Sequence, residues 1–320
     1  MRFSGLSLFA GLVGALIAST PALAQDASVA DAASAEDGAE PAADGNIVVT
    51  GKIDTPPSGR EITRQARSIT TQTALQHLPL PRFEDRLCPG VFGLKAEYAS
   101  MMIDRLRDNA EHLDLWLSAD DGTCHPNFIV AFVDDGQAEL SRIEANQGWL
   151  FQSLSIADRR EMLEETGPVR VWTTTQQRTR DGMPIARREN LTDPPVVSMW
   201  MAHSKIYLPI REDITQVIVL FDKNAVRNMT LVQLADYATM RGLARTRPTE
   251  DGQALDSILS LFDPDGSPPL ELTNFDHAYL AAVYDSIPNI PGMTKVLGVN
   301  RQLRRQAEAA EREAAATPRE

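Results

Sequence analysis

The feature that most constrains the fold is where a hydrophobic core can begin. The run DASVADAASAEDGAEPAADGN, residues 26–46, is small, acidic and almost free of large apolar side chains. Such a segment cannot bury enough surface to offset chain entropy. Residues 25–79 are therefore expected to be a disordered acidic linker, and residues 80–298 a single globular domain. Residues 299–320 alternate charges among alanines with little apolar face, which predicts a charged helical tail.

Upstream of the linker, residues 1–24 have the layout of a secretory signal peptide. Arg2 gives a positive start, Leu6 to Ile17 an apolar run, and Ala22-Leu23-Ala24 a small-x-small cleavage site. The apolar run is short of the roughly 20 residues that a bilayer-spanning helix needs, and Pro21 breaks it. A periplasmic or secreted protein is expected, with no integral membrane segment after cleavage. A net charge of -13 argues against nucleic acid as a partner, because phosphate binding needs clustered Lys and Arg. The only two cysteines, Cys88 and Cys124, read first as a disulfide in an exported chain. Closing the loop between them would stabilise the domain by about 3–4 kcal/mol.

Periodicity within residues 80–298 predicts an α+β fold with a mixed or antiparallel sheet and a helical last third. Ala99, Met102, Ile103, Leu106 and Ala110 recur at helical spacing between Lys95 and His112. Residues 127–133 form a buried strand, and 137–146 and 156–165 further helices. Strands follow at 169–177, 205–210 and 214–221, the last two joined by a tight turn at Arg211-Glu212-Asp213. Thr230 with Gln233, and Thr273 with Asp276, have the spacing of helix capping boxes. A shorter helix or turn is expected over 255–262.

Two resemblances bear on function. Asn46-Ile47-Val48-Val49-Thr50-Gly51-Lys52 is similar to the IVVTG-type segment near the mature amino terminus of TonB-dependent outer-membrane receptors. There an extended peptide pairs with a strand of the energy-transducing protein, so Ile47, Val48, Val49, Thr50 and Gly51 are a docking candidate by strand addition. No receptor barrel follows it.

The last third resembles the zinc-peptidase half of metzincin-like proteins. Residues 235–243, Ala-Asp-Tyr-Ala-Thr-Met-Arg-Gly-Leu, align with HExxHxxGL through Gly242-Leu243. Asp256-Ser257-Ile258-Leu259 stands where the Ser-Ile-Met turn would be, and Leu272-Thr273-Asn274-Phe275-Asp276 through Val283-Tyr284 matches the closing helix. The match covers about 55 residues. It departs at the decisive positions, because zinc needs two imidazoles one helical turn apart and a Glu beside the first. Ala235 and Thr239 occupy the imidazole positions and Asp236 the glutamate position. None of the five histidines, His77, His112, His125, His203 and His277, lies on that helix.

Ala235, Asp236, Thr239 and Gly242 therefore mark a degenerate site, with no catalytic residue, metal ligand or cofactor assigned. The expected function is a non-catalytic binding or scaffold domain on a metzincin-like fold, recognising an unknown protein or peptide. Two alternatives stay open. One is a hydrolase with an unrecognised site, such as Asp236 with His203 brought together by folding; the other is a periplasmic partner of a TonB-type system.

Overall fold

The computed structural model describes residues 57–151, 154, 156–186, 192, 196, 204, 206–248, 254–264 and 266–316. In chain order these form α1 (Gly59–Ile69), β1 (Pro89–Phe92), α2 (Ala96–Glu111), β2 (Phe128–Val133), α3 (Gly136–Gln147), α4 (Ile156–Glu164), β3 (Val169–Thr179), β4 (Ile210–Asp222), α5 (Leu231–Leu243), α6 (Asn274–Tyr284) and α7 (Gly292–Ala316). Short 3-10 turns lie at Gly148–Phe151 and Ile258–Ser260. The class is α+β. The expected signal peptide, the acidic run and the Ile47–Gly51 segment lie outside the described residues, as does His203. Among the described residues no helix is long and apolar enough to cross a membrane.

The sheet is mixed and four-stranded, in the order β1-β2-β4-β3. β1, β2 and β4 are mutually parallel neighbours, and β3 runs antiparallel to β4 along one edge. Helix α2 is the crossover that a parallel β1–β2 pair requires. Side chains alternate across β2, so Phe128, Val130 and Phe132 enter the main core with α2, α5, α6 and α7. On the other face, Trp172, Ile218 and Leu220 meet Leu140 of α3, Phe151 and Met162 of α4 in a smaller cluster.

Local chemistry explains where the last helices start. Thr230 and Gln233 cap each other's backbone groups at α5, and Thr273 and Asp276 do the same at α6. Asp276 has a second role. Its carboxylate accepts from Ser257 Oγ at 2.6 Å and Ile258 N–H at 2.8 Å, which pins the 3-10 turn to the start of α6. Gly242 lets α5 approach the sheet, because a Cβ there would lie 2.4 Å from the Phe128 ring and 3.0 Å from Val217. Any other residue would push the helix off the strands.

Three sequence expectations are corrected. The linker does not extend to residue 79, since α1 buries Ile62, Ala66 and Ile69 in the core and Leu75 follows them. Sparse apolar positions hid this helix, although Ser58 and Glu61 form a complete capping box. The domain also does not end at 298. Helix α7 runs through that boundary and buries Val299 and Gln302, so the charged tail is the exposed continuation of a core helix.

Arg211-Glu212-Asp213, finally, is not a turn but part of β4. Its backbone brackets Arg82, with Arg82 N–H donating to Glu212 O and Ile214 N–H to Arg82 O. Its side chains enter a buried ion network. Asp213 is fully buried, takes a hydrogen bond from Arg211 Nη2 at 2.9 Å and lies 3.2 Å from Arg178 Nε. Arg178 also pairs with Asp85, and Arg211 with Glu84.

Burial pushes the Asp213 carboxyl up to about 6, against the pull of Arg211 and Arg178. An unfolded Asp titrates near ~3.9. Between these values the folded chain holds a proton that the unfolded chain has lost, so this group's contribution to stability falls as pH rises through the window. A gap of about 2 units amounts to roughly 3 kcal/mol, fully regained below about pH 4. Asp213→Asn is expected to remove that slope. Urea unfolding of both proteins at intervals from pH 4 to 7 checks it, and parallel pH profiles would refute the assignment.

Candidate functional site

β3 is an edge strand, and its pairing fixes which backbone groups remain open. Asp222 N–H donates to Pro168 O at 2.9 Å. In an antiparallel ladder the alternation then turns the hydrogen-bonding groups of residues 170, 172 and 174 toward β4, and those of Val169, Val171 and Thr173 outward. Arg170 Nη1 covers Val169 O at 3.3 Å. The outward N–H and C=O groups of Val171 and Thr173 have no partner among the described residues. Nearer its end the same edge is occupied, because the chain folds back and Ile185 N–H donates to Gln177 O.

A cavity of about 810 Å³ lies along the open part of this edge. Val169, Val171, Trp172 and Thr173 form one wall, and α4 with the segment leading into β3 forms another. The end of α5 and the stretch from Leu259 to Pro264 close the far side. Tyr237 and Arg241 project into it from α5, one turn apart on one face.

Arg241 is the electrostatic centre of the cleft. Although its residue is only 5% exposed, its guanidinium donates to Tyr237 Oη at 2.9 Å and to Glu165 Oε1 at 2.7 Å, and it lies 5.7 Å from the Tyr237 ring centroid. An arginine in this setting stays charged and holds its planar fork in one orientation. Tyr237 stands edge-on to Phe262, at 5.0 Å between centroids, and burial raises its phenol above the ordinary range. Two buried donors on cleft-lining residues, Trp172 Nε1 and Arg241 Nε, have no hydrogen-bond partner among the described residues.

The degenerate-site residues lie elsewhere on the same helix. Ala235, Asp236, Thr239 and Gly242 are buried, and none of them lines the cleft. Asp236 is held by α2. Arg105 Nε and Nη2 donate to its two oxygens at 2.8 and 2.7 Å, Asn109 Nδ2 adds a bond at 2.8 Å, and Leu272 N–H adds another at 2.9 Å. Thr239 Oγ1 bonds Ala235 O and accepts from Asn109 Nδ2. Every carboxylate oxygen of Asp236 thus has two donors, which leaves it no lone pair with which to take a proton from a substrate.

Among the described residues, no three His, Cys, Asp or Glu side chains gather as a metal site would. Cys88 and Cys124 form the expected disulfide at the opposite edge of the sheet. Sequence reasoning did not single out Tyr237, Arg241, Glu165 or Trp172. The available signal was a tyrosine and an arginine four apart on a helix that is otherwise apolar on that side. The chain matches no protein-family model, no curated protein and no solved structure.

Proposed function

We propose that the protein is an exported, non-catalytic binding domain in which an extended polypeptide segment adds as a further strand along the open edge of β3. The observation that carries this reading is the outward backbone groups of Val171 and Thr173, without a partner among the described residues, beside a cleft of about 810 Å³. Strand addition uses such groups for affinity and the flanking pockets for selection. The reading also gives Tyr237 and Arg241 a use, as fixed features on the cleft floor.

The order edge strand, α5, 3-10 turn and α6 supports a peptidase-like scaffold that has lost its imidazoles to Ala235 and Thr239. The signal-like leader and the Cys88–Cys124 disulfide support export. A docking role for Ile47–Gly51 in a TonB-type system is a separate proposal, and deletion of residues 46–52 tests it by loss of pull-down of a periplasmic partner.

Backbone N-methylation of the ligand tests the strand reading without altering the protein. A soluble five-residue peptide of alternating Val and Glu, capped at both ends, is expected to lose binding when methylated at the residues facing β3 and to keep it when methylated at the alternate ones. Hydrogen exchange at Val171 and Thr173 should slow on binding of the unmodified peptide. Indifference to methylation at every position would remove strand addition.

A further inference from the structure

We infer that the outer face of α1 and α7 docks on an anionic phospholipid surface, with a headgroup phosphate seated in the hollow where α6 ends against α7. The two helices pack side by side and run in opposite directions. Gly59 sits against Asn300, and just past the other end of α1, Met293 N–H donates to Leu75 O at 2.9 Å. α1 turns Ile62, Ala66 and Ile69 into the core, so Arg60, Arg64 and Arg67, spaced four and three apart, form an exposed stripe on its opposite side. α7 buries Val296, Val299 and Gln302, and it exposes Leu297, Arg301 and Arg304 at the same spacing with Arg305 beside them.

The chain as a whole carries a net charge of -13, yet this face gathers six exposed arginines. None of their side chains makes a hydrogen bond or ion pair among the described residues. Of the acidic side chains on the two helices, Glu61 is committed to the Ser58 cap, and Glu308, Glu311 and Glu313 follow only beyond Arg305. Charges elsewhere on the molecule are screened over roughly 10 Å of salt solution, so the side in contact decides the interaction. An acidic domain with one cationic side meets an anionic surface in one orientation.

The hollow is a second, independent observation. A cavity of about 250 Å³ lies between the end of α6 and α7, and Arg301 and Arg305, one turn apart, line it with the hydroxyl-bearing Ser286 and Thr294. Its one carboxylate, Asp285, accepts from Gln302 Nε2 at 2.8 Å. Its one lysine, Lys295, is buried with Nζ donating to Val283 O, so the arginines alone offer exposed charge there. Two guanidinium forks suit the oxygens of a phosphate, which only accept. A soluble acidic protein is the competing occupant, and Leu297 favours lipid. It is 55% exposed one turn from Arg301, placed to enter the headgroup boundary while the arginines meet phosphates.

Co-sedimentation of the chain without residues 1–24 reads the docking directly, using vesicles of phosphatidylcholine alone or of equimolar phosphatidylglycerol and phosphatidylcholine. The mixed vesicles are expected to bind at least about tenfold more tightly, and raising salt from about 50 to 500 mM should remove most of that gain. Arg60→Gln/Arg64→Gln and Arg301→Gln/Arg305→Gln should each weaken binding to the mixed vesicles about tenfold, because each takes away two contacting cations. Lys95→Gln/Arg227→Gln changes the net charge equally from exposed positions on other parts of the chain, and it should bind as the wild type does. Melting midpoints should match the wild type in all three variants, since every substituted side chain is exposed and unpaired among the described residues. Equal binding to both vesicles, or an equal loss in the Lys95 and Arg227 variant, would overturn the docking face. A loss confined to the Arg301 and Arg305 variant would overturn the part assigned to α1. Binding to soluble polyglutamate but not to the mixed vesicles would assign the face to an acidic protein and overturn the lipid reading.

Discussion

Asp236→Ala is expected to lower the unfolding free energy by about 3–5 kcal/mol, the range for breaking a buried, hydrogen-bonded charge pair. The residue is fully buried, and its carboxylate gathers four donors, three from Arg105 and Asn109 of α2 and one from Leu272 N–H. Arg105 keeps 27% of its side chain exposed, so water can replace its lost partner in part. Asn109 Nδ2 and Leu272 N–H have no such recourse. Each becomes a buried donor without its carboxylate acceptor, at about 1–3 kcal/mol, and a cavity the size of a carboxyl group adds to that. Asp236→Asn keeps the volume and should cost roughly half as much. Urea melts with an unchanged slope would check both values. A loss below about 1 kcal/mol for the alanine variant would mean that α2 and α5 are not joined through this carboxylate.

The same geometry changes how an activity assay must be read. Loss of hydrolysis in Asp236→Ala would report a loosened α2–α5 contact as readily as a missing catalytic group, because the variant is destabilised at the helix on which the cleft is built. Peptide hydrolysis that survives Asp236→Asn but not Asp236→Ala would assign the residue to structure. Hydrolysis abolished equally by both, at unchanged melting midpoint for the asparagine variant, would restore the hydrolase reading.

How much of this was legible in the sequence follows from the range of each interaction. α5 and α6 were readable because Thr230 with Gln233, and Thr273 with Asp276, close their caps within four residues. β2 was readable because its run of apolar and β-branched residues is uninterrupted. β1 was not, since Pro89-Gly90-Val91-Phe92 has weak strand character and acquires its conformation by parallel pairing with β2, about 40 residues away. α1 was missed although its capping box is as local as the others, because only Ile62, Ala66 and Ile69 of its apolar face stand out among charges.

Arg211-Glu212-Asp213 misled for the opposite reason. Three charged residues in succession look like a turn until Arg82, Glu84, Asp85 and Arg178 surround them. The cleft was least legible of all. Glu165, Trp172 and the Tyr237–Arg241 pair come from three different segments, and the open backbone groups of β3 depend on which side of the strand β4 occupies. Residue identity carries no trace of that choice.

Replacing both cysteines by serine is expected to remove about 3–4 kcal/mol, because the bridge closes a loop 36 residues long in the unfolded chain. In a domain of this size that corresponds to a fall in melting temperature of about 10 °C. The loop holds β1 and α2 and closes just before β2, and β1 and β2 pair in parallel across it. Folded geometry should survive the change. Asn127 Oδ1 accepts from Cys88 N–H at 2.8 Å, and Asn127 N–H donates to Cys88 O at 3.0 Å, so the two segments stay joined without the sulfurs. β3 lies at the opposite edge, separated from β1 by β2 and β4. Well below its melting point, the Cys88→Ser/Cys124→Ser protein should therefore bind the alternating Val-Glu peptide as the wild type does, while unfolding at lower urea. A weakened affinity under those conditions would show that the two edges of the sheet are coupled. An unchanged urea midpoint would show that the reduced, unfolded chain already keeps residues 88 and 124 close together.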